Sequence, residues 1–324
     1  MWKRCEGSGR PASPRVREEK RKEKHLPRPA LNDGLSMEIL GTQMKQVTAT
    51  NGEAMKVERK NPMSRVDAAK REWEDLAHLD PLWAILTEKR KQFGKWDREE
   101  FFATGQAEID TLMRSCGLNS GDNGRALDFG CGVGRLSRAL SSYFGEVHGV
   151  DISREMVRLA GQYTPSCTFH VNPVDNLKLF HNDFFDFIYS NIVLQHQSSK
   201  EIAKAYITEF IRVIKPKGLI IFQLPSRMTL RGAIQARRRL YSLLRMCGVP
   251  ADFIYRRLHL NPMRAICVPP EEIMGTVSAG GGEVVRSYPD SFNLHSRSYV
   301  VMKREAGEDG MVQNVADGGA EKSF

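Results

Sequence analysis

With 324 residues, 41% of them hydrophobic, the chain can build a sizeable core in one large or two small domains, and much of its formal charge of +9 lies in a tail. The six cysteines (Cys5, Cys116, Cys131, Cys167, Cys247, Cys267) form no C-x-x-C pair, which speaks against a zinc site or disulfide framework and for reduced thiols of a cytoplasmic protein. No run of about 18 apolar residues and no apolar h-region occurs, so neither a membrane span nor export is expected.

Residues 1–62, with "RPASPRVREEKRKEKHLPRP", are too charged and too poor in apolar residues to offset their ordering entropy. A disordered basic tail is expected, read as a solvated extension or a translated region before an internal start such as Met63, in preference to a nucleic-acid arm. Residues 63–118 read as a helical cover. "SRVDAAKREWEDLAHLDPLWAIL" carries Trp73, Leu76, Ala77 and Leu79 at helical spacing, and Pro81 forces a break. Asp97 is the expected N-cap of a second helix. Its Phe101, Phe102, Gly105, Ile109, Leu112, Met113 and Cys116 share one face, and Gly117 is its expected stop.

From Arg125 short apolar runs alternate with helical stretches, the pattern of an α/β sheet with helices on both faces. Strands are expected at "RALDFG", "EVHGVD", "CTFHV", "FDFIYS", "GLIIFQL", "EVVRSY" and "SYVVMK", with helices starting near Val133, Ser153, Asn176 and Ser199. No helix-length segment separates the last two strands, so a seven-stranded, mostly parallel sheet with its last strand antiparallel is predicted for residues 119–304. A helical lid insertion occupies about 226–268, and residues 305–324 form a second polar, disordered tail.

The exit of the first strand, "RALDFGCGVGRLSRAL", places Gly130, Gly132 and Gly134 as G-x-G-x-G. A dinucleotide fingerprint needs its third glycine where Arg135 stands, and a phosphate loop needs a G-K-[ST] that is missing. Asp128, two residues before the first glycine, would repel a pyrophosphate and suit a cationic group. Seventeen residues beyond Gly134, Asp151 ends the second strand where a carboxylate can accept hydrogen bonds from ribose hydroxyls. A ligand with an amino group and a ribose but no pyrophosphate satisfies these constraints.

"LDFGCGVGRLSRAL", "VHGVDIS", "FDFIYSNIVLQH" and "IKPKGLIIFQLP", in this order, resemble successive motifs of the class I S-adenosylmethionine-dependent methyltransferases over roughly residues 120–304. The resemblance implies a Rossmann-like fold with S-adenosylmethionine as cofactor and no metal. It implies that Asp128 binds the methionyl ammonium, that Gly130, Cys131, Gly132 and Gly134 form the loop under the cofactor, and that Asp151 and Ile152 hold the ribose. Asn172 or Asp175 would stand near the adenine, with Asp175 followed by Asn176 favoured, and Asn191 completes the cofactor set. The helices between Val66 and Cys116 are similar to those with which such enzymes cover their sites.

Methyl transfer needs chiefly alignment of nucleophile, methyl carbon and sulfur, with a base only for protonated acceptors. His196, just after the fourth strand, is the candidate catalytic base, with a structural role weighed equally; Gln195 and Asn191 are its polar neighbours. The loop reads "SNIV", without the Pro-Pro-aromatic pattern of family members that methylate nucleobase or glutamine amino groups, so a small-molecule acceptor is expected. The insertion is expected to supply the acceptor pocket. It carries Arg227, Arg231, Arg237, Arg238, Arg239, Arg245, Arg256, Arg257 and Arg264 against Asp252 alone, with Leu230, Ile234, Arg237, Tyr241 and Leu244 along one stripe. Three readings compete: a lid with a solvated charged face, a site for a carboxylate- or phosphate-bearing acceptor, and contact with a membrane surface or RNA. The rival functions are an NAD(P)-dependent oxidoreductase and a non-catalytic S-adenosylmethionine-binding regulatory protein.

Overall fold

The computed structural model describes residues 65–228, 234–289 and 295–305. The expected tails at 1–62 and beyond 305, Met63, and Leu230 and Arg231 of the insertion lie outside the described residues.

The chain opens with α1 (Arg65–Leu79) and α2 (Pro81–Ile85), broken as expected at Asp80. Asp80 is buried and makes the corner rigid: its Oδ2 accepts from the Phe93 and Gly94 amides at 2.6 and 3.0 Å and from the Tyr255 hydroxyl at 3.0 Å. Helix α3 (Arg98–Cys116) is capped by Asp97, whose Oδ1 accepts from the Glu100 amide at 2.9 Å, and ends at Gly117 with φ 70°. Its expected face is buried from Phe101 to Met113, with Cys116 half-buried.

Seven strands follow: β1 (Asp122–Phe129), β2 (Phe144–Asp151), β3 (Thr168–Val171), β4 (Phe185–Ser190), β5 (Ile214–Pro225), β6 (Gly282–Pro289) and β7 (Ser296–Lys303). Their order is β3-β2-β1-β4-β5-β7-β6, parallel from β3 to β5, with β7 antiparallel to both neighbours. The connecting helices are α4 (Arg135–Leu140), α5 (Arg154–Tyr163) and α6 (Lys200–Val213), then α7 (Ala236–Met246), α8 (Ala251–Leu258) and α9 (Pro270–Ala279). Period-two alternation sorts β1 between two cores: Leu127 and Phe129 join Phe210 and Ile220, whereas Ala126 joins Ile109, Leu136 and Phe187 on the opposite face.

Three expectations are corrected. No helix forms near Asn176; residues 172–184 are irregular, although Leu177 and Phe180 are buried. Side chains of α6 satisfy that backbone instead: Glu209 accepts from the Leu177 amide at 2.7 Å, and Arg212 donates to the carbonyls of Leu177 and Phe180 at 2.9 and 3.1 Å. Helix α4 starts two residues beyond Val133, because Gly134, at φ 84°, is left-handed and serves as its N-cap. The amphipathic stripe of the insertion is not one helix from Leu230 onward, since Gln235, at φ 48°, precedes α7. No helix among the described residues is long and apolar enough to cross a membrane.

Candidate functional site

A cavity open in part to solvent lies at the carboxyl edge of β1, β2 and β4 beneath α1 and α2. This is the edge where open α/β sheets bind ligands.

One wall is main chain. The amides of Gly130 and Cys131 both donate to the Val150 carbonyl, at 2.7 and 3.0 Å, folding the loop over β2. Gly130 and Gly132 have φ of 78° and 53°, and a Cβ there would come within 2.3 Å of Val193 and 2.4 Å of Ile85. Only glycine fits both positions. Asp151 stands at the loop's centre, its Oδ2 accepting from the Gly132 amide at 3.0 Å and its Oδ1 from the Ser153 amide at 2.9 Å. Desolvation pushes its carboxyl up to about 6 against these amides. Cys131, Ile152, Asn172 and Asn191 also line the cavity, whereas Gly134 caps α4 outside the wall.

Two predicted contacts are not in that wall. Asp128 is buried on the other face of β1, where its Oδ2 accepts from the Ser137 hydroxyl of α4 at 2.6 Å; strand alternation directs it there, and burial raises its pKa to about 6. Asp175 is exposed, and the Asn176 carbonyl accepts from the side-chain Nδ2 of Asn172 at 2.9 Å. The buried residue of that loop in the wall is Asn172, since β3 ends at Val171 and the turn closes directly after it.

A polar network absent from the sequence reading supports the wall. Glu108 of α3 pairs with Arg135 at 2.9 Å and accepts from the Tyr189 hydroxyl at 2.9 Å and from Asn191 Nδ2 at 2.7 Å. Arg135 is 3% exposed and lines the cavity, with Nε unpartnered. The spacing marked Arg135 only as a missing glycine; no motif links it to Glu108. Ile192, also in the wall, holds φ 61°, a conformation a β-branched residue adopts only under constraint.

The far end is apolar: Ala69 and Trp73 of α1, Ala84 and Ile85 of α2, then Ile192, Val193 and His196. The Trp73 and His196 rings meet edge to face at 5.5 Å. His196 Nδ1 donates to the Arg264 carbonyl, so Nε2, 3.1 Å from the Gln195 amide nitrogen, is the acceptor; desolvation lowers the imidazole pKa.

The insertion does not form this end: among the described residues none from 226–268 lines the cavity. Its arginines clamp the cover helix instead. Glu72 pairs with Arg238 at 2.8 Å and Arg264 at 2.9 Å, and Asp75 pairs with Arg245 at 3.0 Å and accepts from the Tyr241 hydroxyl at 3.0 Å. On the other side Glu74 of α1 accepts from Ser153 Oγ at 2.7 Å, beside Asp151.

A methyltransferase-domain family matches residues 126–218. Relatives include 2-methyl-6-phytyl-1,4-hydroquinone methyltransferase of Synechocystis, 33% identical over 99 residues, covering 29% of this chain and 30% of that protein. Putative methyltransferase YqeM of Bacillus subtilis is 29% identical over 108 residues, 32% of this chain and 44% of that one. The chain thus spans less than half the length of these curated relatives. Among solved structures, magnesium protoporphyrin IX methyltransferase of Synechocystis with bound SAH is similar at 18% identity, covering 74% of this chain and all of that one, with a TM-score of 0.49. The match places a methyltransferase domain at residues 126–218, the part of the chain that carries the glycine wall of the cavity.

Proposed function

We propose that this chain transfers the methyl group of S-adenosylmethionine to a small, largely apolar acceptor. The observation that carries the reading is a single cavity running from the glycine cradle and Asp151 to the Trp73–His196 end. The cradle that a Cβ would fill, the wall carboxylate of Asp151 and the unpartnered Nε of Arg135 fit such a cofactor. Gly130 and Gly132 would carry it on their backbone, Asp151 would accept the ribose hydroxyls, Asn172 would stand by the base, and Arg135 would face the carboxylate. When bound, the cofactor supplies an electrophilic methyl on a sulfonium.

The protein's part is alignment and dryness. Ala69, Trp73, Ala84, Ile85 and Val193 exclude water from the acceptor end, where the charge of a sulfonium is dispersed during transfer. His196, neutral because desolvation lowers its pKa, would accept a proton from a hydroxyl acceptor at Nε2 once Gln195 yields its hydrogen bond. A hydroquinone, the acceptor named for one relative, has this character: an apolar body with a hydroxyl. A carboxylate- or phosphate-bearing acceptor loses support, because Arg238, Arg245 and Arg264 are already paired with α1.

Calorimetric titration with S-adenosylmethionine, S-adenosylhomocysteine and NADH, followed by mass spectrometry of phenol and hydroquinone acceptors, tests the reading. Micromolar binding of the first two ligands with methylated product is expected. NADH binding would overturn the cofactor assignment, and cofactor binding without turnover would favour a regulatory protein.

A further inference from the structure

Helix α7 carries large apolar side chains on its outer face as well as its inner one, where Tyr241 and Leu244 pack into a small core. A surface helix normally turns apolar residues to the core and charges to water. In α7, Arg238 and Arg245 point inward to the carboxylates of α1, with Tyr241 buried between them at 1% exposure. Leu240, Leu243 and Met246 point outward and are 46, 55 and 85% exposed. Helix α8 shares a small core with α7 through Tyr241, Ile254 and Leu260, and it too turns a large apolar side chain away, Phe253. Such an outer layer favours an apolar neighbour.

The charges around it select the neighbour. Arg237, Arg239, Arg256 and Arg257 are exposed among these apolar residues, and Asp252, paired with Arg256 at 2.6 Å, is the only carboxylate between residues 234 and 268. Apolar side chains ringed by arginines suit an interface with lipid tails below and anionic headgroups around. A second copy of the chain would set arginine against arginine.

We propose that the outer faces of α7 and α8 dock this protein on an anionic lipid bilayer. The docked layer is the one clamped to α1, which supplies Ala69 and Trp73 to the cavity, so the covered end of the cavity lies next to the membrane. The proposal goes beyond methyl transfer and is tested without it.

The full chain is sedimented with vesicles of phosphatidylcholine alone or with about one third phosphatidylglycerol. Binding to the anionic vesicles only is expected, weakening with salt. Because the chain is basic elsewhere, the deciding variant changes no charge: Leu243→Gln with Met246→Gln should lower partitioning about tenfold. Phe253→Gln on the other helix, at a half-exposed position, should lower it in the same direction and guards against a fold defect in the first variant. Absence of vesicle binding would overturn the proposal, as would binding that neither variant weakens. So would a dimer, seen by analytical ultracentrifugation, that the first variant dissociates.

Discussion

The two walls of the cavity are held by different means. Around β1 and β2 the partners are neighbours along the fold's own ladder: Gly130 and Cys131 on the Val150 carbonyl, Gly132 on Asp151. Around α1 they are side chains far away in sequence, with Glu72 bonded to Arg238 and Arg264 across 166 and 192 positions. A main-chain wall tolerates almost no change in shape, because its hydrogen bonds and left-handed glycines come from one backbone path. A wall held by ion pairs can separate and re-form without unfolding the sheet beneath it.

Gly130→Ala should break the first wall most severely. Forcing a Cβ to within 2.3 Å of Val193 at φ 78° combines strain and overpacking, and cofactor affinity measured by calorimetry should fall by about 3 to 4 kcal/mol. At the covered end, His196→Ala should slow turnover about 100-fold while leaving cofactor affinity unchanged; equal loss of both would make the residue structural. Asp151→Ala should weaken the cofactor by about 1.5 to 3 kcal/mol. Because the Asp151 carboxyl sits at about 6, wild-type affinity should be full above that pH and decline as protonation removes an acceptor below it. The variant should show no such decline.

Glu72→Gln sharpens the contrast at the second wall. It leaves two guanidinium groups short of a carboxylate at a partly exposed site, so about 1 to 2 kcal/mol of stability should be lost, read from thermal unfolding. Trypsin should then cut the insertion faster, with cofactor affinity scarcely altered. The smallest effect is expected at Asp175→Ala, which should leave cofactor affinity within about twofold since the side chain is exposed, whereas Asn172→Ala should reduce it.

What the sequence revealed follows the same division. The strands, the Asp97 cap, the helix start near Ser199 and the glycine cradle were legible because local spacing determines them: period two in β1, a cap three residues before its partner amide, a turn that only glycine can make. The orientation of Asp128 was not, since charge and spacing identify a carboxylate but not the strand face that carries it. The helix expected near Asn176 failed because Glu209 and Arg212, over 30 positions later, satisfy that backbone. The pairing of the insertion's arginines with α1 left no local trace either, and amphipathicity alone did not show which side of α7 faces water.

The position of β7 bears on how the molecule is made. Ser296–Lys303, the last described strand, lies between β5 and β6, its seven-residue register with β5 running from Leu219–Met302 to Pro225–Ser296. On the ribosome, β5 is complete long before its neighbour on that side emerges, and β6 cannot take the vacant place without displacing the final strand. The nascent sheet therefore waits with a row of unpaired backbone groups along Ile220–Leu224, a segment that any other extended chain can join. Truncation before Ser296 would leave that edge of β5 exposed.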